Sequence, residues 1–122
     1  MGFDKSKLAD VVKVPATFPH LYRDENGEPV KFVFEMRIET EADADALQRS
    51  DALGVRSNHE RNVERLSRLL TAPPSGFDDF PQNGKSLGEN VKDFFTDSRC
   101  EHIVKGVFSL YNKAVLPDEL FR

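Results

Sequence analysis

Val30-Lys31-Phe32-Val33-Phe34-Glu35-Met36-Arg37-Ile38 is the stretch that decides the fold. Val30, Phe32, Phe34, Met36 and Ile38 alternate with Lys31, Val33, Glu35, Arg37 and Glu39. In a strand, successive side chains point to opposite faces, so this period of two makes one face apolar and leaves the other mostly charged. Just upstream, Asp24-Glu25-Asn26-Gly27-Glu28-Pro29 supplies a turn, because Asn and Gly accept the positive φ that hairpin turns require. Before the turn, Val14 to Tyr22 carries Pro15 and Pro19, which a sheet tolerates at its edge but not in a central strand. The expectation is a β-hairpin over 18–38 that pairs Phe18–Tyr22 with Val30–Ile38. Residues 1–13, with Leu8, Val11 and Val12 near helical spacing, read as an arm or a short helix.

A lone hairpin is marginal in water, so its apolar face needs a cover. The rest of the chain offers helices. Thr40 with Asp43 forms a loose capping box that opens a helix over about 41–53, with Glu41, Asp43 and Asp45 near its positive end. Its apolar face is thin: Ala42, Ala46 and Leu47. Ser57 with Glu60 opens a second helix over about 58–70, with Val63, Leu66, Leu69 and Leu70 inward and Pro73-Pro74 as its stop. Ser86 with Glu89 opens a third over 87–96, with Val91, Phe94 and Phe95 inward. Ser98 with Glu101 opens a fourth over 99–114, with Ile103, Val107, Leu110 or Tyr111, and Ala114 on its buried stripe. Residues 118–122 follow as a tail. The predicted fold is therefore α+β: an N-terminal hairpin or small antiparallel sheet packed against three to four helices, in a single domain over 14–117. A loop over 71–85 interrupts the helices and contains Phe77 and Phe80. Loops of that length often carry function.

The chain has 122 residues, 10 of them Phe, no Trp and one cysteine. One cysteine permits no intrachain disulfide, which sets the chain apart from secreted disulfide scaffolds. The first ten residues, MGFDKSKLAD, lack the apolar core of a secretory signal, and no apolar run approaches membrane-spanning length. A net charge of -4 disfavours a broad electrostatic grip on nucleic acid.

The residues that carry chemistry elsewhere are poorly spaced here. A helical metal pair needs ligands three or four apart, yet four residues after His59 stands Val63 and four after His102 stands Gly106. Cys100 and His102 point in different directions on a helix, and no phosphate-binding glycine loop is present. Neither a metal nor a cofactor is expected. Asp78 and Asp79, with His102, form the only acid–base group worth testing for a small enzyme. Arg56, Arg61, Arg65 and Arg68 form a basic stripe and are the candidates for a nucleic-acid-binding accessory protein. Glu60 and Glu64 lie among them, so a solvated, salt-bridged helix face is the plainer reading.

The order of elements also carries a resemblance. The charged strand Val30–Ile38 runs into an acidic helix start. A middle helix ends in Pro74-Ser75-Gly76-Phe77-Asp78-Asp79-Phe80, and Asn83-Gly84-Lys85-Ser86-Leu87 then opens a helix with Phe94-Phe95. A last helix carries Val107-Phe108-Ser109-Leu110-Tyr111. Over roughly residues 28–117, this pattern resembles the tail assembly chaperones of long-tailed bacteriophages, in which Trp often stands where Phe77 is here. The resemblance implies a non-enzymatic role in the host cytoplasm. Such a chaperone holds the tape measure protein soluble while tail tube protein polymerises around it. The resemblance also implies self-association and absence from the finished particle, and it carries over no catalytic residue. A long helical partner with one apolar face suits a Phe-rich groove. On that logic Phe77, Phe80, Phe94 and Phe95 are the expected contact residues. Another phage structural or tail-completion protein, coupling a small sheet to helices, is the neighbouring alternative.

Overall fold

The computed structural model describes residues 10–115. Two strands, β1 (Val11–Thr17) and β2 (Lys31–Arg37), are followed by four α-helices: α1 (Glu41–Asp51), α2 (Asn58–Leu69), α3 (Leu87–Phe95) and α4 (Glu101–Val115). A 3₁₀ turn, Ser98–Cys100, leads into α4. The strands form a two-stranded antiparallel sheet, so the chain is a small α+β fold. Of the stretch expected as an arm or a short helix, residues 11–13 belong to β1 instead, because they pair with β2. Residues 1–9 and the tail over 118–122 lie outside the described residues.

The strand partner differs from the expected one. β2 pairs with Val11–Thr17, not with Phe18–Tyr22. Val12, Val14 and Ala16 stand opposite Met36, Phe34 and Phe32, which aligns the apolar sets of both strands on one face. Phe18 instead begins a turn, because its carbonyl accepts the N–H groups of both Leu21 and Tyr22. The Asn26-Gly27 turn does form, with Gly27 at φ 79° and the Asp24 carboxylate accepting from the N–H groups of Asn26 and Glu28. It closes only the isolated bridge between Arg23 and Pro29. Pro15 is accommodated because its partner Val33 turns its N–H and C=O away, towards Ser75. The pair therefore needs no N–H from proline.

The loop expected over 71–85 is partly strand-like. Ser75 N–H donates to Val33 O at 3.0 Å, and Thr71 N–H donates to Glu35 O at 2.9 Å. Leu70 bridges Met36. Residues 70–75 thus cover the second edge of β2 and satisfy backbone groups that a two-stranded sheet would leave open.

One core results. Phe32, Phe34 and Met36 from β2 join Val63, Leu66 and Leu69 from α2. Val91 and Phe95 from α3 and Ile103, Val104, Val107, Phe108 and Tyr111 from α4 belong to it too, as do Val14 and Ala16 from β1, Leu70 and Phe80. Full burial of each of the larger side chains contributes about 1.5–3 kcal/mol. The α2 and α3 caps are as expected: Ser57 and Ser86 accept from the Glu60 and Glu89 N–H groups. The fourth box is not. Asp97, not Ser98, caps the turn into α4, accepting from Arg99 N–H, because its carboxylate is the stronger acceptor.

α1 is held differently. Asp43 is its buried residue. The Arg37 guanidinium meets the Asp43 carboxylate through two bonds of 2.6 Å, and Thr40 donates its N–H and hydroxyl to the same group at 2.9 and 3.0 Å. Arg68 of α2 stands 3.4 Å away. The tyrosine hydroxyl of Tyr111 accepts from Glu39 N–H and donates to Arg37 O, pinning the same junction to α4.

The hydrogen bonds from Arg37 hold the Asp43 carboxyl well below the usual carboxylate range, against the opposing effect of burial. A carboxylate with a depressed folded-state pKa adds stability above its unfolded value of about 3.9, and that stability is lost as pH falls through the folded value. Asp43→Asn is expected to cost about 2 kcal/mol near neutral pH, between an exposed ion pair and a fully buried one. It should also flatten the fall in stability below about pH 4. Urea titrations of both chains across that range measure both effects.

Candidate functional site

The aromatic residues of the loop and of α3 converge on β2. The Phe77 ring stacks on Phe32 with centroids 4.5 Å apart, and it meets Phe94 and Phe95 edge-on at 5.3 and 5.4 Å. Phe80 meets Phe94 at 5.3 Å. Edge-to-face rings align the positive edge of one with the negative face of the next. Gly76 makes the Phe77 stack possible. Its φ of 99° is one that side-chain-bearing residues avoid, and an added Cβ would lie 2.7 Å from Lys31 O and 2.9 Å from the Phe32 ring.

Beside this cluster lies an open cavity of about 530 Å³. Tyr22, Phe32, Phe77, Phe94 and Ile103 supply its apolar floor, with Cys100 among them. Asp79, Asp93, Asp97 and Arg99 supply its polar lining. The Tyr22 hydroxyl donates to Arg99 O at 3.0 Å, which ties the arch between the strands to the start of α4. Asp97 is fastened by Arg99, whose side chain and backbone N–H bring the carboxyl down to about 2. Asp93 pairs with Lys85 at 3.1 Å. Burial pushes the Cys100 thiol up, which keeps it in its neutral form.

The four phenylalanines are thus brought together but not exposed alike. Phe95 is 0% exposed and Phe80 only 9%. Both are core residues, so neither presents a face to a partner as expected. Each faces other rings inside the fold, where apolar area is most favourably placed. Phe77 and Phe94 are half-buried and line the cavity. Tyr22 and Phe32 join them there although the sequence pattern gave them only a sheet role. Their single early signal was a local excess of aromatic residues on both sides of the Asn26-Gly27 turn.

The arginine stripe is engaged throughout. Arg56 pairs with Asp51 and Glu64, Arg61 with Asp51, Arg65 with Glu39, and Arg68 with Asp43. The Arg65 guanidinium also sits 4.3 Å from the centre of the Phe108 ring. These partners lie mainly in and around α1 rather than on the arginines' own helix. Phosphate binding through the stripe would have to break pairs that hold α1 in place.

The acid–base group is not assembled. Asp79 lines the aromatic cavity, Asp78 lines a different one with Arg23 and Gly76, and His102 is exposed on α4. His59 is structural: its Nε2–H donates to Phe95 O at 2.8 Å, joining α2 to the end of α3. Among the described residues, no three or more His, Cys, Asp or Glu side chains are grouped to hold a metal ion. None of the described helices is long and apolar enough to cross a membrane. No protein-family model, curated protein or solved structure matches the chain.

Gly76→Ala tests the anchoring of the loop. It should lower stability by about 2 kcal/mol or more, because strain and a backbone clash add. Gly54→Ala, where an added Cβ meets nothing within 4 Å, should change it by less than about 0.5 kcal/mol. Urea midpoints of the two variants provide the comparison.

Proposed function

We propose that the chain is a non-enzymatic binding protein, a tail assembly chaperone that takes an apolar helical segment of a phage tape measure protein into its aromatic cleft. The observation that carries this reading is the open cavity floored by Tyr22, Phe32, Phe77, Phe94 and Ile103. Rigid rings offer large contact area at little entropic cost, and a pocket lined by them suits an apolar anchor from a helix. The acidic lining adds selectivity for segments whose anchor is flanked by lysine or arginine. In this reading Phe77 and Phe94 touch the partner, while Phe80 and Phe95 support them from the core. Tail tube protein is a further partner in the same assembly, and the host cytoplasm is where the work is done.

The test is co-expression with a long helical phage tape measure protein, followed by size-exclusion chromatography with light scattering. A soluble complex is expected. Phe94→Ala should weaken it at least about tenfold, the scale set by removing one buried aromatic anchor. The variant should remain folded by circular dichroism. A wild-type chain that leaves the long protein insoluble and elutes without it overturns the reading.

A further inference from the structure

α1 is attached to the molecule unlike the other helices. Its one buried residue is the carboxylate Asp43, whereas α2, α3 and α4 each bury apolar side chains in the core. Ala46 and Leu47, its best apolar residues, are only half-buried. α1 packs chiefly against α2, and that contact is loose. A gap of about 280 Å³ lies between the two helices, lined by Ala44, Leu47 and Gln48 of α1 and by Arg61 and Arg65 of α2. Protein interiors are otherwise close-packed, with few voids larger than a water molecule.

The two ends of α1 are held with different strength. At the first turn, Asp43 takes two bonds of 2.6 Å from Arg37 and two more from Thr40, and its side chain is 6% exposed. At the last turn, Asp51 meets Arg56 and Arg61 at 2.5 and 2.9 Å, but its side chain is 32% exposed and that of Arg61 42%. Such exposed pairs contribute little and weaken with salt, while a buried one is screened much less. Beyond Asp51 the chain gives no further hold. Residues 52–55 are all exposed, and nothing stands within 4 Å of a Cβ added at Gly54.

We infer that α1 is a latch: it pivots about the Asp43 clamp, and its arm over 44–51 lifts from α2 as one unit when the Asp51 pairs give way. Elements that open below the global unfolding free energy are those with few buried apolar contacts, and the arm is the helical segment that fits that description best among the described residues. Lifting frees Arg61 and one of the two carboxylate contacts of Arg56, and it opens the gap beneath to solvent. Access to the basic face of α2 is thereby made conditional on the position of α1. The latch is independent of the aromatic cleft, to which α1 contributes no lining residue.

Hydrogen exchange read by mass spectrometry tests this. At about 0.1 M NaCl, amides over 44–51 should exchange at a common rate, at least about tenfold faster than those of β2 and α4. Raising the salt to about 1 M shortens the Debye length from about 10 Å to about 3 Å and should speed the arm about threefold or more, leaving β2 and α4 unchanged. Asp51→Asn should produce that acceleration at low salt and remove most of the response to salt. Glu41→Gln, at an exposed residue with no ion pair among the described residues, should change neither. An arm as protected as α4 overturns the proposal, as does an arm indifferent to salt and to Asp51→Asn. Equal acceleration of α4 in that variant would mean global opening, and a rate that fades from Asp51 back to Ala44 would mean a fraying helix end. Either result also overturns it.

Discussion

The junction between β2 and α1 depends on one ion pair, Arg37 with the buried carboxylate of Asp43, and Arg68 of α2 and Tyr111 of α4 both reach the same junction. A carboxylate with 5% exposure must have its oxygens satisfied, or its desolvation outweighs anything it contributes. Here both oxygens are met by Arg37, and Thr40 adds two further bonds. The consequence is directional. α1 has almost no apolar face of its own, so it is placed by charge. Asp43 faces Arg37 and Arg68, and Asp51 faces Arg56 and Arg61. Tyr111, fully buried, reaches the same junction from α4 with its hydroxyl, which links the polar clamp to the apolar core.

On the opposite side of β2, packing rather than charge sets the structure. Residues 70–75 pair with β2 and bring Gly76 against the backbone at Lys31 and Phe32. Only a residue without a side chain fits there, and the close approach lets Phe77 stack on Phe32. The α3 rings then close around Phe77, with Phe95 beneath and Phe94 at the surface. The cleft is a by-product of this order. Tyr22, held by its bond to Arg99 O, and Ile103 from α4 complete walls that no single segment could build.

The two charged features of the sequence end up with opposite meanings. The arginines at 56, 61, 65 and 68 resemble a polyanion-binding stripe until their partners are known. The fold spends them on Asp51, Glu64, Glu39 and Asp43. The acidic residues around the loop and α3 look like ordinary solvated charges, yet Asp79, Asp93 and Asp97 gather around an apolar floor. Charge near a low-dielectric surface discriminates between partners more sharply than charge in open water.

Local pattern in the sequence determined the α+β class, the strand Lys31–Arg37 and the four helices to within a few residues, because alternation, helical spacing and capping act over a few neighbours. It also announced the cluster of phenylalanines, but not which of them stay open. Three matters were decided only by the tertiary structure. β2 took Val11–Thr17 as its partner, since pairing obeys the match of two apolar faces and not the nearest turn. Phe80 and Phe95 went inside while Phe77 and Phe94 kept part of their surface, because exposure depends on what distant segments cover. Arg61 and Arg68 lost their freedom to carboxylates on α1, a choice made by packing geometry that no spacing along one helix encodes.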